Sequence, residues 1–201
     1  MNLRFEQEMK RERRRQALKE LLWFLLAAVI VILAAWLIVR FALKKVNVIG
    51  SAMETTLYNG EDVIVNKVSY LALSPGRESV IAFYPEPEEE EEQIYDDSSV
   101  LIRRVIGLPG ETVRITDGKI YINDEQLTEK YHFGEMASAG IANSEIELGE
   151  DEYFVLSDNR NDMDDSRNAA FTKVKKKNII GKVILKFHPL SLIGGPEQKE
   201  E

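Results

Sequence analysis

The sequence contains no cysteine and only two histidines, His132 and His188. The absence of cysteine excludes disulfides, thiolate metal sites and a cysteine nucleophile. Two histidines are too few for a histidine-rich metal site, and we expect neither a metal nor another cofactor. Basic residues are also in the minority, because 26 Lys+Arg stand against 34 Asp+Glu. With a formal net charge of -8 and no broad basic patch, the chain is not expected to bind nucleic acid.

One long apolar run, from Leu21 to Val39, contains no charged residue. At the rise of an α-helix it spans roughly 28 Å, close to the hydrocarbon thickness of a bilayer. Trp23 and Trp36 lie near its ends, where indole rings favour the headgroup region. A buried core helix and a cleaved signal peptide are the alternatives, but the run is long, uninterrupted and without a small-residue cleavage site. We therefore predict a transmembrane anchor over residues 21–40.

Basic residues flank this anchor unequally. Those before the apolar run are Arg4, Lys10, Arg11, Arg13, Arg14, Arg15 and Lys19, and those soon after it are Arg40, Lys44 and Lys45. Because lysine and arginine accumulate on the cytoplasmic side of a membrane span, residues 1–20 are predicted to form a basic cytoplasmic segment. The rest of the chain is then extracytoplasmic, in a single-pass protein of the cell membrane.

From residue 41 onward the sequence changes to short β-branched segments separated by turn residues. No long amphipathic helical pattern is present there, so we predict a β-rich domain over residues 41–193 and a disordered tail at 194–201. The segments predicted as strands are 46–50, 62–68, 80–83, 100–106, 112–115, 119–122, 152–156 and 179–187, with a hairpin turn at Asp117-Gly118.

A concentrated acidic run, Glu86 to Glu92, interrupts this domain and contains Pro87. Mutual repulsion and the lack of apolar residues predict a solvated loop. A docking surface for a basic partner or a cation is the alternative interpretation.

Three segments of the outer domain carry motifs that point to a family. Leu101 to Glu111 reads L-I-R-R-V-I-G-L-P-G-E, an apolar strand followed by a tight Leu-Pro-Gly turn. Gly50 to Leu57 reads G-S-A-M-E-T-T-L, and Ser157 to Ala170 reads S-D-N-R-N-D-M-D-D-S-R-N-A-A. In order and spacing they resemble motifs of the type I signal peptidases of the Gram-positive type, as do segments 61–70 and 179–190. The resemblance implies a mainly β, signal peptidase-like extracytoplasmic domain with one N-terminal transmembrane helix.

The resemblance also implies a catalytic apparatus that this sequence has lost. In the family, a serine nucleophile, a lysine general base and a serine that orients the lysine fall on the positions of Ala52, Arg103 and Met163. Alanine offers no nucleophile, a guanidinium stays protonated, and a thioether gives an amine no useful hydrogen bond. Thr55 stands where the family motif has proline. These substitutions predict an inactive chain, and their number favours native divergence over deliberate inactivation.

Further roles follow from the resemblance, position by position. The matched positions beside the lost dyad are predicted to bind peptide, and they are Met53, Thr56, Leu57 and Ile102. The third motif is predicted to form a buried structural network of Asp158, Asn159, Arg160, Asp165, Ser166 and Arg167. Its aspartates, with Asp162 and Asp164, also allow a calcium or magnesium site, but their spacing differs from an EF-hand loop and the family needs no metal.

Three functional hypotheses remain open. The first is a non-catalytic protein that binds an extended peptide or preprotein as an added β-strand. By analogy with signal peptidase-like proteins that have degenerate dyads, its partners would be pilin subunits and sortase. The second is an active signal peptidase with Ser51 as a displaced nucleophile and Lys67 as base, although a shift of one residue along a strand reverses the side chain's face. The third, a membrane-anchored regulator related to the LexA-type Ser/Lys folds, has no DNA-binding domain to support it.

Overall fold

The computed structural model describes residues 3–85, 99–169, 171–187 and 189–194. The acidic run Glu86 to Glu92, the residues Ala170 and His188, and the tail beyond Gly194 lie outside the described residues. The chain divides into two compact units, residues 1–42 and 43–201.

The first unit is one continuous helix, α1, at Leu3–Ala42. Its part Arg13–Ala42 is long and apolar enough to cross a membrane. The apolar side chains of this part, such as Leu33 and Ile38, are exposed. That exposure counts against the alternative of a buried core helix, since a core helix packs its apolar side chains. The predicted anchor, residues 21–40, lies within α1.

The second unit is mainly β, which confirms the predicted fold class. Its strands are β1 Leu43–Asn47, β2 Asp62–Asn66, β3 Val80–Phe83, β4 Leu101–Gly107, β5 Thr112–Thr116, β6 Lys119–Ile122, β7 Glu125–Gln126, β8 Ile146–Glu147, β9 Glu152–Leu156, β10 Val174–Lys175, β11 Ile179–Phe187 and β12 Leu190–Leu192. A short helix, α2, occupies Ser69–Ala72. The larger sheet has eight strands in the order β1-β2-β11-β3-β4-β9-β10, with β12 paired to β11. The smaller sheet has the order β7-β6-β5-β8.

Strand β4 lies inside the larger sheet, between β3 and β9. It pairs antiparallel with β3 over Leu101–Arg104 and with β9 from Arg104 onward. All its residues after Leu101 are buried, as the near-continuous run of apolar side chains around them requires. The side chains of β4 are therefore held in fixed positions within the core.

The turn after β1 contains a β-branched residue with a positive φ. Thr55 has φ 83°, and the N–H of Thr56 donates to the carbonyl of Met53 at 3.0 Å. Thr55 thus holds the third position of the turn, where a positive φ favours glycine or asparagine and strains a β-branched residue. A proline, which is fixed near φ -65°, cannot adopt this conformation. The turn therefore differs from one built on the proline of the family motif.

One buried ion pair joins the turn, β4 and the loop after β9. The Arg104 guanidinium donates from Nε to Asp158 Oδ1 at 2.7 Å and from Nη2 to Oδ2 at 2.6 Å. The side chains are 1% and 0% exposed. Asp158 Oδ2 also accepts from the Thr56 hydroxyl at 2.6 Å, and Arg104 Nη1 donates to the Glu78 carbonyl at 2.8 Å. The aromatic rings of Tyr131 and Phe133 flank the guanidinium. Both Arg104 and Asp158 thus make a further hydrogen bond, in each case to a residue that is distant in sequence.

Several elements differ from the sequence predictions. The first strand was predicted at 46–50 and is β1 at Leu43–Asn47, because residues 51–57 form the turn. The second was predicted to reach residue 68 and ends at Asn66. The hairpin at Asp117-Gly118 is confirmed, since Thr116 pairs with Lys119 and both turn residues have positive φ. The short strands β7, β8, β10 and β12 were not predicted, because so few residues show no alternation.

We expect Asp158→Asn to lower the free energy of unfolding by about 3–5 kcal/mol, because it leaves the Arg104 charge buried without a charged partner. The matched control is Asp124→Asn, whose carboxylate is 78% exposed and pairs with Arg114 at 3.3 Å. The control should cost less than about 1 kcal/mol. Urea unfolding of the two variants in detergent measures both values, and equal losses would contradict the central role of the buried pair.

We also expect Thr55→Gly to raise the free energy of unfolding by about 1 kcal/mol, because it relieves the strain of the positive φ. The control is Thr112→Gly in strand β5, where φ is not positive. There the loss of a β-branched side chain and the added chain entropy should destabilise the protein by about 0.5–1 kcal/mol. Thermal unfolding in detergent compares the two, and a loss of stability in Thr55→Gly would contradict the expected strain.

Candidate functional site

Ala52 lies buried in the turn after β1, against the loop of residues 157–167. Its carbonyl accepts a hydrogen bond from the Asn159 N–H at 2.9 Å. The carbonyl of Ser51 accepts from Asn159 Nδ2 at 3.4 Å, and the Ser51 hydroxyl donates to Asp162 Oδ2 at 3.2 Å. The loop therefore holds the turn through its backbone, and Ala52 presents only a methyl group.

Arg103 extends from β4 into the same loop. Its Nε donates to the Asp164 carbonyl at 2.6 Å and its Nη2 to Asp164 Oδ2 at 2.5 Å. Its Nη1 donates to the carbonyl of the preceding residue, Ile102, at 2.6 Å. The Arg103 side chain is 4% exposed, whereas that of Asp164 is 62% exposed. A buried cation thus has an exposed carboxylate as its counterion.

Met163 precedes Asp164 in the loop and is half-buried. It packs against Gly140, where an added Cβ would lie 2.8 Å from the Met163 methyl group and 2.2 Å from the Arg167 carbonyl oxygen. Only glycine fits this close approach, and Gly140 also has φ 53°. All three substituted positions therefore border the 157–167 loop, Ala52 through Asn159, Arg103 through Asp164 and Met163 as part of it.

The charge state of Arg103 follows from its surroundings. Burial lowers the pKa of the Arg103 guanidinium, and the carboxylates of Asp164, Asp162 and Asp165 oppose that effect and raise the pKa. An arginine starts from so high a pKa that it stays protonated near neutral pH. Asp164 is therefore the counterion of the charged Arg103 guanidinium.

The 157–167 loop is held by a second buried ion pair. Arg167 Nη2 donates to Asp165 Oδ2 at 2.6 Å, with both side chains fully buried. Arg167 also donates to the carbonyls of Ser138, Arg160 and Asp162. The Ser166 hydroxyl accepts from the Val155 N–H at 3.0 Å, which ties the loop to β9. The segment is thus a closed network of charge-assisted hydrogen bonds.

The side chain of Arg160 lies outside this network and contacts Glu129 and Phe133. It pairs with Glu129, and its guanidinium lies 4.3 Å from the centre of the Phe133 ring.

The four aspartates of the alternative cation site are all engaged in hydrogen bonds. Asp158, Asp164 and Asp165 accept from arginines, and Asp162 accepts from the Ser51 hydroxyl and the Asp164 N–H. Within the described part of the chain, no group of acidic, histidine or cysteine side chains could hold a metal ion.

The positions predicted to bind peptide are buried. Met53, Leu57 and Ile102 belong to one buried apolar cluster. Thr56 is buried too, with its hydroxyl on Asp158. Their role in binding stays a prediction, and these side chains contribute to packing as the structure stands.

The alternative dyad is not assembled by this fold. Ser51 lies at the Asp62 end of β2, because Val48 N–H donates to the Glu61 carbonyl at 2.8 Å and Gly50 N–H to Asn59 Oδ1 at 3.0 Å. Lys67 follows the opposite end of β2. At about 3.3 Å per residue, Lys67 lies about 16 Å along the strand from Asp62. Lys67 therefore cannot reach the Ser51 hydroxyl.

Two residues of the site were missed by the sequence analysis. Arg104 was not assigned to Asp158, although it immediately follows Arg103 on a strand that must be buried on both faces. Asp164 was considered only as a cation ligand, whereas it is the counterion of Arg103. A buried arginine requires a carboxylate, and that requirement was the available signal for both partners.

Comparison with known proteins identifies the family. Residues 21–188 match the family described as signal peptidase, peptidase S26. The chain is 32% identical over 145 residues to the probable signal peptidase I-2 of Synechocystis sp., covering 72% of this chain and 63% of that protein. It is 33% identical over 180 residues to the probable signal peptidase I-1 of the same organism, covering 89% and 87%. It is 30% identical to signal peptidase I V of Bacillus subtilis, covering 82% and 96%.

A solved structure, the crystal structure of a signal peptidase I from Enterococcus faecalis, is 32% identical, covers 55% of this chain and 97% of its own, and superposes with a TM-score of 0.40. The chain thus spans less than two thirds of the first relative and most of the other two. The match of the family over residues 21–188 and the identity to the second relative both extend through the turn, β4 and the 157–167 loop. This chain belongs to the signal peptidase family, peptidase S26.

Proposed function

We propose that this chain is a membrane-anchored, non-catalytic member of the signal peptidase family that binds extended peptide segments. The observation that carries the proposal is the state of Arg103. At the position where the family motif has a lysine base, a buried guanidinium donates three hydrogen bonds, two to Asp164 and one to Ile102. A group so engaged and so basic takes no proton from a nucleophile.

The other substituted positions support the same proposal. Nucleophilic catalysis needs a hydroxyl, a neutral base beside it and a group that orients the base. Ala52 supplies no hydroxyl, and Met163 packs against Gly140 with its methyl group. Main-chain recognition of a peptide along a sheet edge needs none of the three groups, so it can persist when they are lost.

A second candidate is an active signal peptidase, and the names of the relatives favour it, since those compared are called signal peptidases. Activity here would require Ser51 as the nucleophile. Its exposed hydroxyl donates to Asp162 and lies far from Lys67. A carboxylate that binds a serine hydroxyl without a histidine or lysine between them is a weak base, so this candidate ranks second.

The membrane setting and the partner are parts of the proposal. The excess of basic residues before the apolar part of α1 supports a cytoplasmic N-terminus and an extracytoplasmic β domain. The bound partner would be an exported preprotein or, by analogy with degenerate relatives, a pilin subunit in the presence of sortase. Co-purification from membranes with a pilin chain would support the finer assignment.

The purified full chain in detergent should not cleave a preprotein that carries a small-x-small motif. Ala52→Ser alone should be equally inactive, because the new hydroxyl has no base. Mass spectrometry of the products over time measures cleavage, with signal peptidase I V of Bacillus subtilis as positive control. Cleavage that disappears in Ser51→Ala would establish the second candidate instead.

The counterion of Arg103 should also limit any attempt to rebuild the dyad. In the variant with Ala52→Ser, Arg103→Lys and Met163→Ser, the nearby Asp164 raises the pKa of the introduced lysine and keeps it protonated. Adding Asp164→Asn should therefore increase the cleavage rate, whereas adding Asp124→Asn should not. The same preprotein assay compares the two, and equal rates would show that Asp164 does not control proton transfer at this position.

A further inference from the structure

Strand β4 has an open edge beside the substituted site. Its residues Leu101–Arg103 pair with β3 on one side, while β9 begins to pair with β4 only at Arg104. On the side away from β3, no described strand accompanies these three residues. The open edge ends where β9 begins, so an added strand that runs parallel to β4 meets a closed end after Arg103.

The backbone groups of Ile102 face this open edge. Val105 N–H donates to the Ser79 carbonyl and its carbonyl accepts from the Glu78 N–H, so Val105 faces the β3 side. Successive residues of a strand alternate in direction. Ile102, three residues earlier, therefore directs its N–H and carbonyl away from β3, toward the position of an added strand.

The Arg103 guanidinium occupies that position at the closed end. Its Nη1 lies 2.6 Å from the Ile102 carbonyl oxygen, whereas the axis of an added strand would lie about 4.8 Å from β4. A peptide that continues along the edge of β4 past Arg103 must displace the guanidinium. A peptide whose chain ends at Arg103 can instead form a hydrogen bond with the guanidinium.

Asp164 shows which chemical group suits the guanidinium. Its carboxylate reaches Arg103 from the solvent side and is 62% exposed, while Arg103 is 4% exposed. Replacing Asp164 by another carboxylate keeps the buried cation paired, but replacing it by a neutral carbonyl leaves the charge poorly compensated. Of the neighbouring carboxylates, Asp165 is already neutralised by Arg167. Asp164 is thus the direct competitor of an incoming anion.

We propose that the open edge of β4 binds the C-terminal end of an extended peptide, whose free carboxylate takes the place of Asp164 on Arg103. This inference rests on the proposed function and specifies its ligand. The open edge of β4 then receives a chain end, at the position where the motif of the catalytic family acts on an internal peptide bond. The Ile102 N–H donates to the main chain of the peptide, the Ile102 carbonyl keeps its hydrogen bond from Arg103, and Arg103 selects the peptide's terminus.

The test is fluorescence anisotropy of the full-length protein in detergent with a dye-labelled peptide ending in Ala-Gln-Ala. The same peptide is prepared with a free C-terminal carboxylate and as the C-terminal amide. The free acid should bind on the order of tenfold more tightly, as expected for a hydrogen bond to a charged group. Asp164→Asn should tighten binding of the acid and not of the amide. Asp124→Asn is the matched control for the change in net charge.

The outcomes separate this inference from the proposed function. Equal binding of acid and amide, or tighter binding of the amide, overturns the selection of a free carboxylate and leaves the peptide-binding function standing. No binding of either peptide overturns both. The comparison of acid and amide uses the unaltered protein, so it decides the matter even if Asp164→Asn fails to fold. In Arg103→Met, the preference for the acid should be lost while weak binding of the amide persists.

Discussion

The pairing of Arg104 with Asp158 is the interaction on which the rest of the β domain depends. One carboxylate accepts from Arg104 and Thr56, and one guanidinium reaches both Asp158 and the Glu78 carbonyl. The strand β4, the turn after β1 and the loop after β9 therefore meet at a single point that excludes water. Two charges so placed are tolerated only when each is fully paired. The pair consequently fixes the relative positions of the segments that border the candidate site.

The neighbouring arginine on β4, Arg103, has an exposed carboxylate partner in place of a buried one. Arg103 and Arg104 follow one another on a strand, so their side chains leave opposite faces. Arg104 pairs with a carboxylate that water does not reach, whereas Arg103 pairs with one that is largely in water. Displacing the carboxylate partner of Arg104 would leave a buried charge without a counterion. Displacing the partner of Arg103 requires only that the exposed side chain of Asp164 moves away. Structural support and the proposed ligand recognition are thus divided between two adjacent residues of the same type.

The larger elements could be predicted from the sequence because each of them rests on a local pattern. The strands at Val80–Phe83 and Glu152–Leu156 have their predicted bounds, and Asp117-Gly118 is a hairpin turn. The ion-pair partners could not be predicted from a local pattern, because Arg104 and Asp158 are 54 residues apart. Their pairing is decided by the sheet order, which no local pattern contains. The burial of Met53 and Leu57 likewise depends on how the turn packs on the sheet.

The positive φ of Thr55 also constrains how this protein can change over generations. A proline at position 55 requires a negative φ, so the family's residue cannot return without remaking the turn that holds Ala52. A serine introduced at position 52 would stand on a turn whose backbone differs from one that accepts proline at position 55. Each later substitution that suits the present turn makes the reverse path longer. Under the proposed function, the backbone at Thr55 therefore makes further divergence of the turn easier than a return to the family motif.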